Sequence, residues 1–288
     1  MIHMFYLVAI INPCLGVILI SDRMICVRSV CILCLKWGTD MFSKLKLEIS
    51  SLEPITYQKA SAFQGVLFEY VDREYVDMLH THNLHPYSQY LLSENGKIYW
   101  VINTLNEESY EKIIRVLLSD DFTNFSLKSG NVDVTVINKE VETVAKSNLI
   151  YELNNVHSER YFDIRMISPM TFKQKGIYIC YPDIRLIFQS IMNKYSAISE
   201  DMIMFDEDTL NQITDSSIIT KYNLRSTVFS MESITIPGAI GNMRIKVNGP
   251  EVMARYVRLL FRFSEYSGIG AKTGLGMGAV NVDVGGGR

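Results

Sequence analysis

Residues 268–278 read Gly-Ile-Gly-Ala-Lys-Thr-Gly-Leu-Gly-Met-Gly. Five glycines, at Gly268, Gly270, Gly274, Gly276 and Gly278, surround one cation, Lys272. Glycine admits positive φ and lets a second backbone come close. Such a loop can turn its N–H groups toward a phosphate while Lys272 adds a point charge. A flexible hinge or a glycine-rich strand is the plainer alternative. A mononucleotide P-loop is excluded, because Gly-x-x-x-x-Gly-Lys-Ser/Thr must open a helix. Here the apolar stretch Ala279-Val280-Asn281-Val282 follows instead. A Rossmann turn is excluded too, since a helix precedes the loop and a strand follows it.

The 288-residue chain suits one large domain or two small ones. With 48% hydrophobic and 20% charged residues it can bury a core. The net charge of −3 and pI near 6.0 mean that any nucleic-acid site must be a local basic patch. Four of five cysteines lie in the first 34 residues. The lone Cys31-x-x-Cys34 pair has no second pair downstream, which argues against zinc. The remaining Cys180 leaves no disulfide framework, and a reducing, cytoplasmic compartment fits.

Residues 1–41 differ from the rest. Met4 to Ile20 is almost all apolar, and Val30 to Leu35 follows Arg23 and Arg28. A membrane anchor, a packed extension and upstream sequence read in frame before a start at Met41 compete. The third is preferred, because Met41 to Ile49 alternates as a first strand with Leu45, Leu47 and Ile49 on one face. Helices are expected at 61–71, capped by Ser61, and from Asp72 to His80, with strands at 97–103 and around Val132–Val136. Between those strands Asn106 caps a helix at 107–118. The second half repeats the plan, with strands at 161–166, 224–231, 233–247 and 279–284 and helices at 182–195 and 250–264. A bend at Pro237–Gly241 is expected to interrupt the third of those strands. This β-α-β-α-β order recurs in ferredoxin-like domains. The expected fold is α+β, two tandem ferredoxin-like (βαββαβ) domains at 42–150 and 151–288.

Tyr266 to Gly278 resembles the C-terminal loop of the CRISPR-associated RAMP endoribonucleases that cut the repeat in CRISPR precursor RNA. Arg165 to Lys173 resembles the family's Ser-Pro segment, and Ile234 to Val247 its Gly-x-x-Gly hairpin. Asp77 to His80 with His85 to Ser88 resembles the segment bearing its catalytic histidine. The likeness covers about residues 42–284. It implies tandem ferredoxin-like domains, metal-independent cleavage without a cofactor, and CRISPR precursor RNA as partner. An effector complex is a further partner; monomer and homodimer both stay open, and no membrane is expected.

RNA brings its own nucleophile, the 2′-OH. The enzyme supplies a base, an acid for the leaving 5′-oxygen and positive charge on the phosphorane. Histidine does acid or base work because its unperturbed pKa is ~6.5. Three of five histidines, His80, His82 and His85, fall within six residues. His80 ends the short helix, where the dipole favours an imidazolium, and matches the family's histidine. His85 falls where many members have lysine, and His82 reads as a solvated residue. Some members pair the histidine with a tyrosine; here Phe68 aligns with it, and Tyr70 reads as core. Arg255, Arg258 and Arg262 share one face of the helix at 250–264, with Arg244, Lys246, Lys221 and Arg225 as further cations. The candidate set is His80 and His85 for catalysis, with the five loop glycines, Lys272, Arg255 and Arg258 for RNA. A non-catalytic RAMP subunit, a membrane-anchored protein and a metal-dependent nuclease are the rivals.

Overall fold

A computed structural model gives the architecture and describes residues 17–20, 23–26, 41–81, 84–128, 130–155, 159–199, 205–231 and 234–285. The chain divides into two compact units, Met1–Asp40 and Met41–Arg288. In the first, β1 (Val17–Ile20) and β2 (Arg23–Cys26) form an antiparallel hairpin. Cys14, Cys31 and Cys34, like His3, His82 and His157, lie outside the described residues.

The second unit opens with β3 (Met41–Ser50), α1 (Ala60–Tyr70), α2 (Arg73–Thr81), β4 (Tyr87–Glu94) and β5 (Lys97–Thr104). A helix at 107–117 with a π turn at Tyr110–Ile114, α3, leads to β6 (Asn124–Leu127) and β7 (Val132–Ala145). The five strands form one antiparallel sheet, in order β4-β5-β3-β7-β6. The alternation of Leu45, Leu47 and Ile49 puts all three in the core with Phe63 and Trp100, whose rings meet edge-on at 5.1 Å. β4 is an addition to the elements expected from the sequence. It folds back on β5 through Asn95-Gly96, both at positive φ, the requirement of a two-residue hairpin turn.

After α4 (Lys146–Asn155) come β8 (Tyr161–Met166), the hairpin β9 (Phe172–Gln174) and β10 (Ile177–Ile179), α5 (Ile184–Ile198) and α6 (Glu207–Ser216). β11 (Ser217–Ser230), β12 (Thr235–Val247), α7 (Glu251–Ser267) and β13 (Val280–Gly285) complete the chain. The second sheet has the order β11-β12-β8-β13, again antiparallel. In both sheets the third strand of the βαββαβ unit lies between the first and the second, and the fourth flanks the first. The fold is therefore two ferredoxin-like units in tandem.

Local chemistry explains where several elements begin. Asp72 Oδ1 accepts from the N–H groups of Glu74 and Tyr75, and Asn106 Oδ1 from Ser109 N–H, as expected of N-caps. Two starts differ. α1 begins at Ala60 with no side-chain cap, so Ser61 does not cap it. α5 starts at Ile184, not at 182 as expected, and is capped by Asp183, whose Oδ1 accepts from Leu186 N–H at 3.1 Å. The bend at Pro237–Gly241 does not interrupt β12, which stays paired with β11 throughout. Gly241 makes this possible: a Cβ there would lie 2.0 Å from the Asn223 carbonyl oxygen.

The halves of the second unit share their cores. Phe42 of β3 packs on Phe263 at 5.4 Å, inside the second core. Phe229, Ile236 and Met277 are buried in the first. The end of the β11–β12 hairpin is held there by Gln58, which donates to the Val228 carbonyl and accepts from Ser230 N–H. Among the described residues, no helix is long and apolar enough to cross a membrane.

Candidate active site

A cleft of about 640 Å³ opens where the glycine loop meets the first half. His80 comes from the last turn of α2, and His85 from the segment between α2 and β4. Lys173 comes from β9, Lys194 from α5, and Lys272 from the loop with Thr273 and Gly274. Among the described residues, lysines and histidines line it, and no Asp or Glu does. On a chain with a net charge of −3 that is a concentrated local positive field, suited to a phosphate backbone.

His80 is exposed, and its ring stands edge-on to Phe68 at 5.5 Å. His85 is half-buried and stacks on Tyr87, with ring centroids 5.5 Å apart and nearly parallel. Tyr87 is itself buried; its hydroxyl accepts from Gln64 Nε2 at 2.7 Å, and burial pushes its pKa upward. It is therefore a neutral platform rather than a base. Tyr70 is 41% exposed, not core, and its ring meets Phe122 edge-on at 4.8 Å, away from the cleft lining.

The glycines have a reason that local sequence does not reveal. A Cβ on Gly270 would lie 2.2 Å from the Thr171 carbonyl oxygen, and one on Gly278 2.0 Å from that of Ile269. On Gly276 it would lie 2.3 Å from Ala60 Cβ, and on Gly268 2.8 Å from Thr273 Cγ2. All four have positive φ. They let the loop fold on itself and seat against Thr171 and α1. Gly274 is different: its φ is ordinary, but a Cβ would press on His85 Nδ1 and the Tyr87 hydroxyl, both at 3.1 Å.

Most loop N–H groups are used inside the protein. Ile269 donates to Gly278, Gly270 to Ser190 Oγ, Ala271 to Thr171 and Gly278 to Pro169. The Lys272 carbonyl accepts from both Leu275 and Met277. Among the described residues, the N–H groups of Lys272, Thr273 and Gly274 donate to no protein group. They sit at the start of the short turn Thr273–Leu275, with Lys272 itself in the left-handed region at φ 65°. The expectation of N–H groups turned toward a phosphate thus narrows to three, at a strained residue of the kind that collects at functional sites. From the other side, Gln89 Nε2 donates to the Gly274 and Ala60 carbonyls while its Oε1 accepts from Trp100 Nε1.

Arg255 and Arg258 do not line this cleft. Arg255 pairs with Glu251 one turn earlier, and Arg258 is half-buried, its Nε lacking an acceptor among the described residues. Arg262 pairs with Glu265, and Arg244 donates from Nε and Nη2, one edge of its guanidinium, to the two Asp163 carboxylate oxygens at 2.7 and 2.6 Å. Lys173, Lys194, Gln64 and Gln89 join the site from outside the candidate set. Nothing in the sequence singles out a lysine on the polar face of a helix; only burial does. Among the described residues, no three His, Cys, Asp or Glu side chains cluster as metal ligands would.

The family model for the CRISPR-associated endoribonuclease Cas6 matches residues 164–280. The Cas6 endoribonuclease of Streptococcus thermophilus is 32% identical over 240 residues, 83% of this chain and 98% of its own length. That of Mycobacterium tuberculosis is 30% identical over 249 residues, 85% of this chain and 79% of its own. Among solved structures, a Cas6 product complex superposes with a TM-score of 0.68 at 20% identity, covering 84% of this chain and 99% of the other. A Cas6 substrate mimic complex gives 0.67 at 18%, covering 84% and 99%. At the identity of the two sequence relatives over most of both chains, this protein belongs to the family of CRISPR-associated endoribonucleases called Cas6.

Proposed function

We propose that this protein cuts CRISPR precursor RNA within the repeat, without a metal ion, by attack of a 2′-OH on the adjacent phosphate. The products are a 2′,3′-cyclic phosphate and a 5′-OH. One observation carries the reading: two histidines from the first half face three lysines and the glycine loop of the second, across a cleft that no described carboxylate lines. In this reading the first half, residues 42–150, is the domain bearing the histidines, and residues 151–288 form the domain bearing the loop.

The 2′-OH gives its proton to a neutral imidazole, the role left to His85, as its oxygen attacks phosphorus; the P–O5′ bond breaks, and the leaving oxygen takes a proton from an imidazolium. His80 is assigned that proton because it is exposed at a helix C-terminus, where a cation is favoured. Phe68 offers it no hydroxyl and orients it by ring contact instead. The free N–H groups of Lys272–Gly274, with Lys272 Nζ, receive the phosphorane's charge. His85, seated on Tyr87 against Gly274, supplies a second imidazole.

Labelled repeat RNA, incubated with the full chain in excess chelator, is expected to be cut at one site. A repeat with a single 2′-deoxynucleotide at that site is expected to bind and stay intact. Cleavage that survives the 2′-deoxy change, or that stops with chelator, overturns the mechanism. Tight binding with no cleavage of either RNA points to the non-catalytic subunit. Gly274→Ala tests the seat of His85. It carries no backbone strain, so its unfolding temperature is expected to stay near the parent's. Displacing His85 by a few tenths of an ångström is expected to lower the cleavage rate by up to about 10²-fold.

A further inference from the structure

Among the described residues, Lys194 is the only charged side chain that is buried, at 6% exposure. It sits one turn after Ser190 on α5, and its Nζ reaches the carbonyls of Gly268 at 3.0 Å and Ser267 at 3.2 Å and the Thr273 hydroxyl at 3.4 Å. An ammonium has three donors, and three acceptors meet it here. Two of them end α7, where the helix dipole favours a cation. The third lies in the short turn whose leading N–H groups are free. Ser190 adds a second tie from the same helix through Gly270 N–H, at 2.8 Å. The mechanism above uses neither.

Resting on that reading of the cleft, we propose that Lys194 is a positioning residue for RNA cleavage. Its amine fastens the turn at Lys272–Gly274 to the end of α7, and so holds Lys272 and the three free N–H groups where the scissile phosphate enters. Without this tie, the side chain that still grips the turn is Gln89, on the far side of Gly274.

Burial pushes the Lys194 ammonium down to about 7. The charged groups sharing its cleft are His80 and His85 from the first half, Lys173 from β9 and Lys272 from the loop. An entering phosphate favours the protonated form of the Lys194 amine. RNA binding therefore takes up protons near neutrality, and affinity falls as pH rises through that range. Lys194 contributes to that uptake only where its amine is present.

The test compares the full-length parent with Lys194→Met and Thr273→Val. Single-turnover cleavage of repeat RNA gives the rate. Affinity for the uncleavable 2′-deoxy repeat is measured across roughly pH 6–9. Lys194→Met is expected to cut up to about 10²-fold more slowly at saturating RNA. Its affinity is also expected to depend less steeply on pH than the parent's, which loss of packing alone would not produce. Thr273→Val is expected to lose about 2–10-fold in rate, the effect of one hydrogen bond. Parent-like cleavage by Lys194→Met overturns the proposal. If that variant does not fold, an unchanged rate in Thr273→Val overturns it instead. If the parent does not cut the repeat, the proposed function has failed. The tie is then judged on affinity alone, and an unaltered pH slope in Lys194→Met rejects it.

Discussion

His80→Ala is expected to slow repeat cleavage by about 10²–10⁴-fold, the range for loss of a general acid or base. The effect should appear in the rate at saturating RNA, with affinity within a few-fold of the parent. His80 is exposed, and its described contact is the edge of Phe68, so little packing is lost. A surface substitution of this kind changes stability by roughly 0.5 kcal/mol or less, and an unchanged melting curve beside the lost rate separates chemistry from folding. His85→Ala is the informative partner. His85 is half-buried on Tyr87 and touches the loop at Gly274, so its removal takes packing and charge together. A parent-like rate in His80→Ala with a dead His85→Ala would move the acid to His85 and leave the cleft as the site. Parent-like rates in both would remove the histidines from the mechanism.

Gly270→Ala is expected to destabilise the protein by roughly 2–6 kcal/mol, adding left-handed strain to an enforced clash. The new Cβ would lie 2.2 Å from the Thr171 carbonyl oxygen, with φ held at +88°. Neither partner is a flexible side-chain end, so the loop must move. The Gly270 N–H bond to Ser190 and the Ala271 bond to Thr171 would break with it. Thermal unfolding should show a drop on the order of 10 °C, and cleavage should fall in the same variant. Gly65→Ala is the control with the opposite sign. Gly65 lies mid-α1, where an added Cβ would meet nothing within 4 Å, so alanine there should stabilise by about 0.5–1 kcal/mol. Equal melting temperatures for parent and Gly270→Ala would show that the loop is not held as described.

The elements of the two ferredoxin-like units are largely legible in the sequence because their signals are local. Leu45, Leu47 and Ile49 alternate, Asn106 precedes its helix, and Ile187 and Ile191 recur at helical spacing on a buried face. β4 is not legible in this way, although Asn95-Gly96 marks its hairpin turn. Tyr87 to Leu91 is buried on both faces, Ser88 and Gln89 included, so no apolar–polar alternation betrays the strand. Pro237–Gly241 reads as a bend but is continuous strand, since a glycine in a strand marks close backbone approach as readily as a turn. The site is half legible. His80, His85, Lys272 and the loop glycines stand out from composition and resemblance, and His80, His85, Lys272, Gly270 and Gly274 do share one cleft.

Periodicity reveals which face of an element is apolar, and turn and cap chemistry reveal where it ends; both depend on neighbours in sequence. Neither reveals which polar face is later covered. Arg255, Arg258, Arg244 and Lys194 are all cations on regular elements. Packing alone sent Arg244 to Asp163 and Lys194 into the wall of the cleft behind the loop. The same holds for the glycines. Their presence in the sequence marks a tight loop, but a carbonyl from Thr171, roughly a hundred residues away along the chain, is what forbids a side chain at Gly270. Residue identities and local order belong to the chain itself; which charges stay free to meet RNA was decided by contacts between its distant parts.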